Sequence, residues 1–461
     1  MSGAMNMLLE YIRFSFELEL ASDCHIGDGK DKALAELRPL MENLSTDVDG
    51  GKLETRVATI VRAYDGSPCL PSTSLKGALR KQHELQMAKG ELEGFFGAIK
   101  EGDEGAMGTF ALYAGKLKGT DDSVAVGLPY WEMKEQTWIA THVAISRETG
   151  TAEHMKLFNQ EMLPAGAVFE IEGVWFGTLD EARDGLAVLL APFATRDGLS
   201  IGSGIKHGLG AFRFSKNKEQ VLLKQTRFLP ATGVVEEMVP KGTLTIQPQG
   251  KGQERINLKL FCDGPFLSVD PARRKGENTA KNCIKALKRN DKTPVLHIHS
   301  LVGALRARAA FLSECEGYGG DRRFRKSSEW TSPVELTSVE RLFGVGGWRG
   351  LVRFSQPESA GAQEKGSLTS IAIDRFSGSV LDSTLFEHEV FVGVELDVSL
   401  LLEKRTSPDG VEYPTREDRK LFMLLLEGLQ GDVLMLGHAT NRGFGWFNVE
   451  TTDLAAMKEN G

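Results

Sequence analysis

One segment of the chain has residue types that suit contact with phosphate groups. Three hydroxyl residues, Ser72-Thr73-Ser74, come shortly before Lys76 and Arg80, a pattern typical of a helix start. Free backbone amides in the first turn of a helix attract phosphate oxygens, and nearby cations can add ion pairs. The same hydroxyls would also serve an ordinary helix cap. The pattern therefore predicts a helix start that is compatible with phosphate contact.

A glycine-rich segment has the second such pattern. Five glycines lie within the thirteen positions from Gly198 to Gly210, and Lys206 and His207 lie among them. Glycine lets the backbone adopt positive φ and approach a ligand closely. The terminal Gly-Lys-Ser/Thr of a nucleotide-binding phosphate loop is missing. The segment therefore predicts either a close backbone contact with a ligand or a turn that closes a hairpin.

Both segments recur in the second half of the chain. The stretch 299–306 repeats the helix start, with Val302 in place of Lys76. The stretch Gly437–Gly445 repeats the glycine-rich segment and has Arg442 directly before its final Gly-x-Gly. We therefore expect phosphate contact in the second copy to be weaker or differently made.

Two further landmarks recur in the same order. Residues 95–97 (Phe-Phe-Gly) are repeated at 342–344 (Leu-Phe-Gly), and the stretch around Arg147 is repeated around Arg375. All four pairs are separated by about 230 residues, which indicates a tandem duplication.

Hydrophobic periodicity predicts the elements that position these segments. Alternation of apolar residues indicates strands at 14–20 and 255–261. Helical spacing indicates four helices, at 74–87, 179–190, 300–312 and 416–429. In each copy the order is strand, helix, strands, helix, strand, as in the split β-α-β plait. We therefore predict an α+β protein of two tandem ferredoxin-like domains, each with a long loop after its first strand and a hairpin excursion.

Breaker residues divide the chain into predicted domains. The boundaries are 8–214 for the first domain, 215–242 for a linker, 243–450 for the second domain and 451–461 for a tail.

Composition restricts the classes of function. The net charge of −8 over 461 residues argues against a free-standing, nonspecific nucleic-acid binder. Between residues 271 and 326, however, 14 Lys and Arg stand against 5 Asp and Glu, which suits either a restricted phosphate-binding surface or a solvated loop. The five cysteines show no C-x-x-C spacing, and no apolar run is long enough to cross a membrane. We therefore expect a cytoplasmic protein with reduced thiols and no membrane contact.

The recurring phrases resemble the RAMP superfamily. Leu70–Arg80, residues 95–97, residues 145–147 and Gly202–Gly210 carry the resemblance, and their order covers most of both halves. Each copy resembles, more narrowly, the repeated backbone subunit of type III CRISPR–Cas effector complexes. Two copies in one chain resemble the fused subunits of type III-D-like systems. The resemblance implies RRM-like ferredoxin folds that hold CRISPR guide RNA and target single-stranded RNA beside other subunits of the complex.

The resemblance also assigns RNA-contacting positions. In the first copy these are Ser72, Ser74, Lys76, Arg80, Arg147, Gly202, Gly204, Lys206, His207 and Gly208. In the second copy they are His299, Ser300, Arg306, Arg308, Arg375, Gly437, Asn441, Arg442 and Gly443. The segments around Arg147 and Arg375 would be thumbs that interrupt the guide–target duplex, while base pairing reads the sequence.

In the family, an aspartate on the loop after the first strand can promote Mg²⁺-assisted cleavage of target RNA. That position falls near Val57 in the first copy and near Asn282 in the second, and neither is a carboxylate. Neighbouring loop carboxylates are the candidates to hold Mg²⁺, although each is by type more often a solvated side chain: Asp47, Asp49, Asp270 and Asp291.

Three functions are therefore open at this point. The first is a structural subunit that holds guide and target RNA. The second is a Mg²⁺-dependent endonuclease that cuts target RNA within the same assembly. The third is a guide-processing RAMP nuclease, which would use His25 as a general base.

Overall fold

The structure, a computed structural model, describes most of the chain. The described residues are 10–39, 55–84, 87–99, 105–121, 123, 125–145, 152–215, 220–229, 234–238, 243–248, 254–273, 283–317, 325–407 and 410–451. The candidate residues Asp47, Asp49 and Arg147 lie outside these ranges.

We call residues 10–248 the first module. Its described helices are α1 (Leu34–Leu37), α2 (Ser72–His83), α3 (Lys89–Phe96) and α4 (Leu179–Leu190). Its described strands are β1 (Glu10–Leu20), β2 (Gly27–Ala33), β3 (Arg56–Ile60), β4 (Cys69–Leu70), β5 (Ala98–Ile99), β6 (Gly105–Ala106), β7 (Phe110–Leu112), β8 (Gly115–Gly119), β9 (Trp138–Ile145), β10 (Ala152–Met162), β11 (Val168–Phe176), β12 (Leu199–Ser200), β13 (Ala211–Phe214), β14 (Gln220–Leu229), β15 (Val234–Met238) and β16 (Thr243–Thr245).

We call residues 254–451 the second module. Its described helices are α5 (Ile298–Cys315), α6 (Ser338–Phe343) and α7 (Arg416–Leu429). Its described strands are β17 (Glu254–Phe266), β18 (Cys283–Ile284), β19 (Lys288–Asn290), β20 (Thr293–Pro294), β21 (Val352–Phe354), β22 (Glu358–Ile373), β23 (Val380–Leu402), β24 (Arg405–Thr406), β25 (Glu412–Tyr413), β26 (Val433–Met435) and β27 (Trp446–Thr451). The predicted α+β class is confirmed.

One antiparallel sheet forms the body of the first module. Its central strands run in the order β13-β1-β11-β8. Alternate residues of β1, among them Phe14 and Phe16, are buried and share an apolar core with Leu79 of α2 and Leu186 of α4. A separate sheet, in the order β2-β3-β10-β9, contains the hairpin that follows β8.

The second module repeats this arrangement. β17 lies between β23 and β27, and both pairs are antiparallel. β21 and β22 pair with different parts of β23. The hairpin of β22 and β23 is long, with strands of 16 and 23 residues. It presents residues 374–379 at its turn, where the sequence predicts a thumb.

Side-chain caps explain why two helices begin where the sequence predicts. Thr178 and Glu181 form a reciprocal capping box at α4, and Thr415 and Asp418 form another at α7. Helix α2 differs, because it begins at Ser72, with Pro71 at the N-cap position and no side-chain cap. The predicted capping role of the hydroxyls at 72–74 is therefore wrong.

The predicted linker 215–242 includes two strands. β14 pairs with β1 from Glu10 to Ser15, and β15 pairs with β14. Val221 and Leu223 are buried and alternate with exposed neighbours, so this segment extends the first module's sheet. Breaker residues separate the two strands instead of marking a free connection.

The two modules share apolar packing. The core of the second module includes six buried side chains from the first: Ala125, Leu128, Trp138, Ala140, Met162 and Leu209. A buried polar contact lies at the same junction. One guanidinium nitrogen of Arg289 donates to both carboxylate oxygens of Asp23, at 2.9 and 2.8 Å. Gln356 donates to the same carboxylate at 2.6 Å.

Candidate nucleic-acid interface

The helix start of the first module is partly packed against its own sheet. The ammonium of Lys76 lies 5.1 Å from the centre of the Phe110 ring, and burial lowers the pKa of Lys76. Arg80 lies 3.5 Å from Glu84, one turn along the helix, and both side chains are well exposed. The hydroxyls of Ser72 and Ser74 are half-buried in the first turn. The candidate residues thus lie together on one helix, with Arg80 at its accessible side.

Helices α2 and α5 each have a glycine at their sixth residue. Gly77 is the sixth residue of α2, and Gly303 is the sixth residue of α5. Both are exposed, and a Cβ at either position would meet no heavy atom within 4 Å. Glycine in a helix interior costs about 1 kcal/mol relative to alanine. Packing within the chain therefore gives no reason for glycine at these two positions.

The helix start of the second module lies against the first module. The ring centre of His299 lies 4.4 Å from that of His207 and 4.7 Å from that of His142. The ring centre of His297 lies 5.5 Å from that of His142. We call these four side chains the histidine cluster. His207 belongs to the first module's glycine loop, so that loop and the helix start of α5 meet at the junction.

The histidine cluster is uncharged at neutral pH. Burial, followed by repulsion among the rings, lowers the pKa of His142 to about 3 and that of His299 to about 4. Burial and the charges of His299 and Lys206 lower the pKa of His207 to about 3. The cluster therefore supplies aromatic contact between the modules and no positive charge for phosphate.

Acid should destabilise this junction. The histidines of the unfolded chain bind protons near pH 6.5, whereas those of the folded cluster do not. The contribution of the cluster to the free energy of unfolding is therefore fully present above pH 6.5 and is lost as the pH falls toward 4. We expect the thermal midpoint to drop between pH 7 and pH 5. The double substitution His142→Gln and His299→Gln should flatten this dependence, and an unchanged slope would contradict it. Thermal unfolding followed by circular dichroism at a series of pH values measures both.

The two glycine loops have the same internal contacts. A Cβ at Gly202 would lie 2.5 Å from the carbonyl oxygen of His25, and a Cβ at Gly437 would lie 2.6 Å from that of Leu267. Both glycines have positive φ, 103° and 95°. The loops therefore need glycine at these positions for their own folding.

The nitrogen Nδ1 of buried His25 contacts the carbonyl oxygen of Glu161 at 2.7 Å.

The loops differ in what covers them. A Cβ at Gly208 would lie 2.4 Å from the carbonyl oxygen of Phe354 in the second module, whereas a Cβ at Gly443 would meet no heavy atom within 4 Å. Asn441 and Arg442 beside Gly443 are exposed. The first loop is thus partly enclosed by the second module, while the second loop is open.

Two candidate arginines of α5 contact neighbouring helices. Arg306 donates to the carbonyl oxygen of Gly344 at 2.6 Å. Arg308 donates to that of Gly428 at 2.5 Å and to Asp432 at 2.6 Å. Since these carbonyl groups lie at or near helix ends, where acceptors lack helical partners, both guanidiniums have a structural role.

The two described candidate aspartates do not form a metal site. Asp270 is fully buried and accepts a hydrogen bond from the amide of Ala272 at 2.9 Å. Asp291 is exposed and pairs with Lys288 and Lys365, and hydrogen bonds from these lysines hold its pKa well below the usual range. Within the described ranges, no three His, Cys, Asp or Glu side chains are placed to hold a metal ion.

The turn of the long hairpin is held by a carboxylate. Asp374 accepts hydrogen bonds from the amides of Phe376 and Ser377, at 2.8 and 2.6 Å. This leaves Arg375 exposed and Phe376 fully exposed, at 101%. The tip therefore projects a cation and an aromatic ring away from the body of the module.

The contacts between the modules have no local pattern in the sequence. Asp23 and Arg289 are 266 positions apart, and no repeated motif includes both. The basic character of 271–326 was the available signal, but within it Arg289 pairs with Asp23, Lys288 with Glu389 and Arg325 with Glu340. Part of the predicted phosphate-binding charge is thus used inside the protein.

A duplicated α+β body with a glycine loop and a hairpin in each module defines the class of this protein. The RAMP superfamily model matches residues 17–213 and 250–448, so the chain belongs to that superfamily as a tandem of two modules. Membership implies a CRISPR-associated, RNA-binding function within a multisubunit complex. No curated protein matches the chain. In the described part of the chain, no helix has the length and apolar character needed to cross a membrane.

Proposed function

We propose that this chain is a backbone subunit of a cytoplasmic type III CRISPR effector complex. It holds guide RNA along both modules and presents that RNA to single-stranded target RNA. The observation that carries the proposal is the pair of open glycines, Gly77 and Gly303. Each lies at the sixth position of a helix start, where an approaching RNA backbone gains room that the protein itself leaves unfilled.

The strand order of both modules supports this proposal, because it matches that of a ferredoxin-like plait. The order β13-β1-β11-β8 places the last strand beside the first and the first beside the third, as the split β-α-β plait requires. The order β27-β17-β23 repeats it. Two equivalent plaits in one chain would supply two successive RNA-holding steps, in a fusion of the type III-D-like kind.

The open loop of the second module supports an assembly with other subunits. Gly208 is covered by the second module, but its equivalent Gly443 is open. Met435 and Trp446 beside it are 55% and 49% exposed. Exposed apolar side chains grouped in this way are typical of protein interfaces, and a neighbouring subunit of similar fold would cover them.

Target cleavage is the weaker candidate. It requires Mg²⁺, which would neutralise charge at the scissile phosphate. Asp270 is buried and Asp291 is paired with lysines. Holding RNA without cutting it is therefore the function that the described residues support best.

Isolation of the chain with its bound nucleic acid tests the proposal. We expect short RNAs that share a repeat-derived end to copurify with it, and sequencing identifies them. Purification of the complex without RNA would contradict guide binding. Cleavage of repeat RNA by the isolated chain would instead favour a guide-processing nuclease.

The hairpin tip should act on the duplex and not on the guide alone. We expect Phe376→Ala to leave guide binding unchanged and to alter nuclease protection of the guide–target duplex near the tip. Val334→Ala is a matched control, because Val334 is also exposed, at 63%, but lies outside the hairpin. Equal footprints for the two variants would argue against the thumb role.

A further inference from the structure

A cavity of about 280 Å³ lies at the junction of the two modules. The second module contributes Arg255 of β17 and Arg353 of β21, and the first contributes Arg196 and Arg213. β17 and β21 flank β23, and Arg255 and Arg353 both lie opposite Leu401 of that strand. Residues opposite each other in a sheet point to the same face, so both guanidiniums project toward the cavity.

Carboxylates only partly balance these arginines. Arg255 forms an ion pair with Asp197, and Arg213 lies 3.6 Å from Glu19. Arg353 donates to the hydroxyl of Ser200 at 2.5 Å. The nitrogen Nε of Arg213 is buried with no hydrogen-bond partner among the described residues.

Neighbouring guanidiniums also act on Arg255. Burial, and then the charges of Arg196 and Arg353, lower the pKa of Arg255. Burial lowers the pKa of Arg353 as well. Guanidiniums that are taken out of water and placed close together are stabilised by an oxyanion that accepts several of their N–H groups.

The opposite side of the cavity has different chemistry. Glu358 and Asp397 lie directly opposite each other on β22 and β23, and both are exposed. Asn257 and Ser399 also line the cavity and are paired with each other, between Leu401 and Asp397 along β23. A ligand that fits would therefore have an anionic group at one end and hydrogen-bond donors at the other.

We propose that this cavity binds the phosphate group of a ribonucleotide, with the ribose hydroxyls toward Glu358 and Asp397. The ribonucleotide is either free or part of an RNA strand. A free ribonucleotide would bind without guide RNA, so the proposal can be tested apart from guide binding at the helix starts.

The test uses the full chain, freed of RNA, and calorimetric titration with inorganic phosphate, adenosine monophosphate, unphosphorylated adenosine and a short RNA with or without a 5′-phosphate. We expect adenosine monophosphate or RNA to bind and adenosine not to bind. Binding of the mononucleotide assigns a free ligand. Binding of RNA without the mononucleotide assigns the strand if Arg196→Gln weakens it, and dependence on the 5′-phosphate then locates the end of that strand.

Substitutions place the binding in this cavity. Arg196→Gln should weaken it by about tenfold, the effect of losing one charge-assisted hydrogen bond. Arg196 is exposed, so folding should be unaffected. Arg353→Gln should weaken binding at least as much, with folding checked by circular dichroism. Arg416→Gln, at an exposed arginine on α7, is the matched control. Failure of phosphate, mononucleotide and RNA to bind, or equal affinity in Arg196→Gln and the parent chain, would overturn the proposal.

Discussion

Alanine in place of Asp23 is expected to lower the free energy of unfolding by about 3–5 kcal/mol, the cost of removing one partner from a buried ion pair. The carboxylate is almost fully buried, with 4% of its side chain exposed. It accepts hydrogen bonds from Arg289, from Gln356 and from the amide of Ala165. Its removal leaves the guanidinium of Arg289 buried at the junction without its counter-charge. Urea denaturation measures the change.

Asp432→Ala is the matched control for this experiment. Asp432 also pairs with a distant arginine, Arg308, at 2.6 Å, but 58% of its side chain is exposed. Exposed pairs contribute about 0–1 kcal/mol, so this variant should unfold close to the parent chain. Similar losses for Asp432→Ala and Asp23→Ala would show that the Asp23 contact has no special role in joining the modules.

Leucine in place of both Gly77 and Gly303 is expected to separate stability from RNA binding. A Cβ at either position would meet no heavy atom of the protein within 4 Å. Each substitution should raise helix stability by up to about 1 kcal/mol. If an RNA backbone passes over both helix starts, each leucine would displace it and weaken binding by about tenfold. The double variant should therefore bind guide RNA about a hundredfold more weakly and unfold at a higher temperature.

Gly90 supplies the control for this prediction. It lies in helix α3, is exposed, and a Cβ there would also meet no heavy atom within 4 Å. Gly90→Leu should leave RNA binding unchanged. Filter binding with guide RNA and thermal unfolding of each variant provide the two measurements. Unchanged RNA affinity in the double variant would remove the observation on which the proposed function rests.

Local signals in the sequence predicted the four longest described helices. Helices α4 and α7 were predicted from the spacing of their apolar residues with the ends that the structure shows. Their first residues are also fixed locally, because Thr178 with Glu181 and Thr415 with Asp418 are capping pairs that act within one turn. The hydroxyls at 72–74 looked equally suitable as caps, but α2 begins two residues earlier than predicted, after Pro71. Proline at that position fixes the backbone without a side-chain bond.

Contacts over long distances in the sequence explain what could not be predicted. The glycine loops were visible as a repeated pattern, yet the difference between Gly208 and Gly443 depends on Phe354 of the other module. The family resemblance assigned Arg306 and Arg308 to RNA contact, whereas their guanidiniums donate to the carbonyl oxygens of Gly344 and Gly428. Pro and Gly in 215–242 suggested a linker. In the structure β14 pairs with β1, and Val221 and Leu223 are buried between exposed neighbours.

The junction between the modules has a direction. The first module contributes the glycine loop with His207, and the second contributes the start of α5 with His299. These are different surfaces, so the contact is not self-complementary, and a surface of this kind cannot close a twofold dimer. The chain consequently has two unlike ends, one of which presents the uncovered loop at Gly443. If chains join through such a contact, they form an open filament unless the rotation between them closes a ring. Under the proposed function, the length of the assembly would then be set by a subunit of another kind or by the bound RNA.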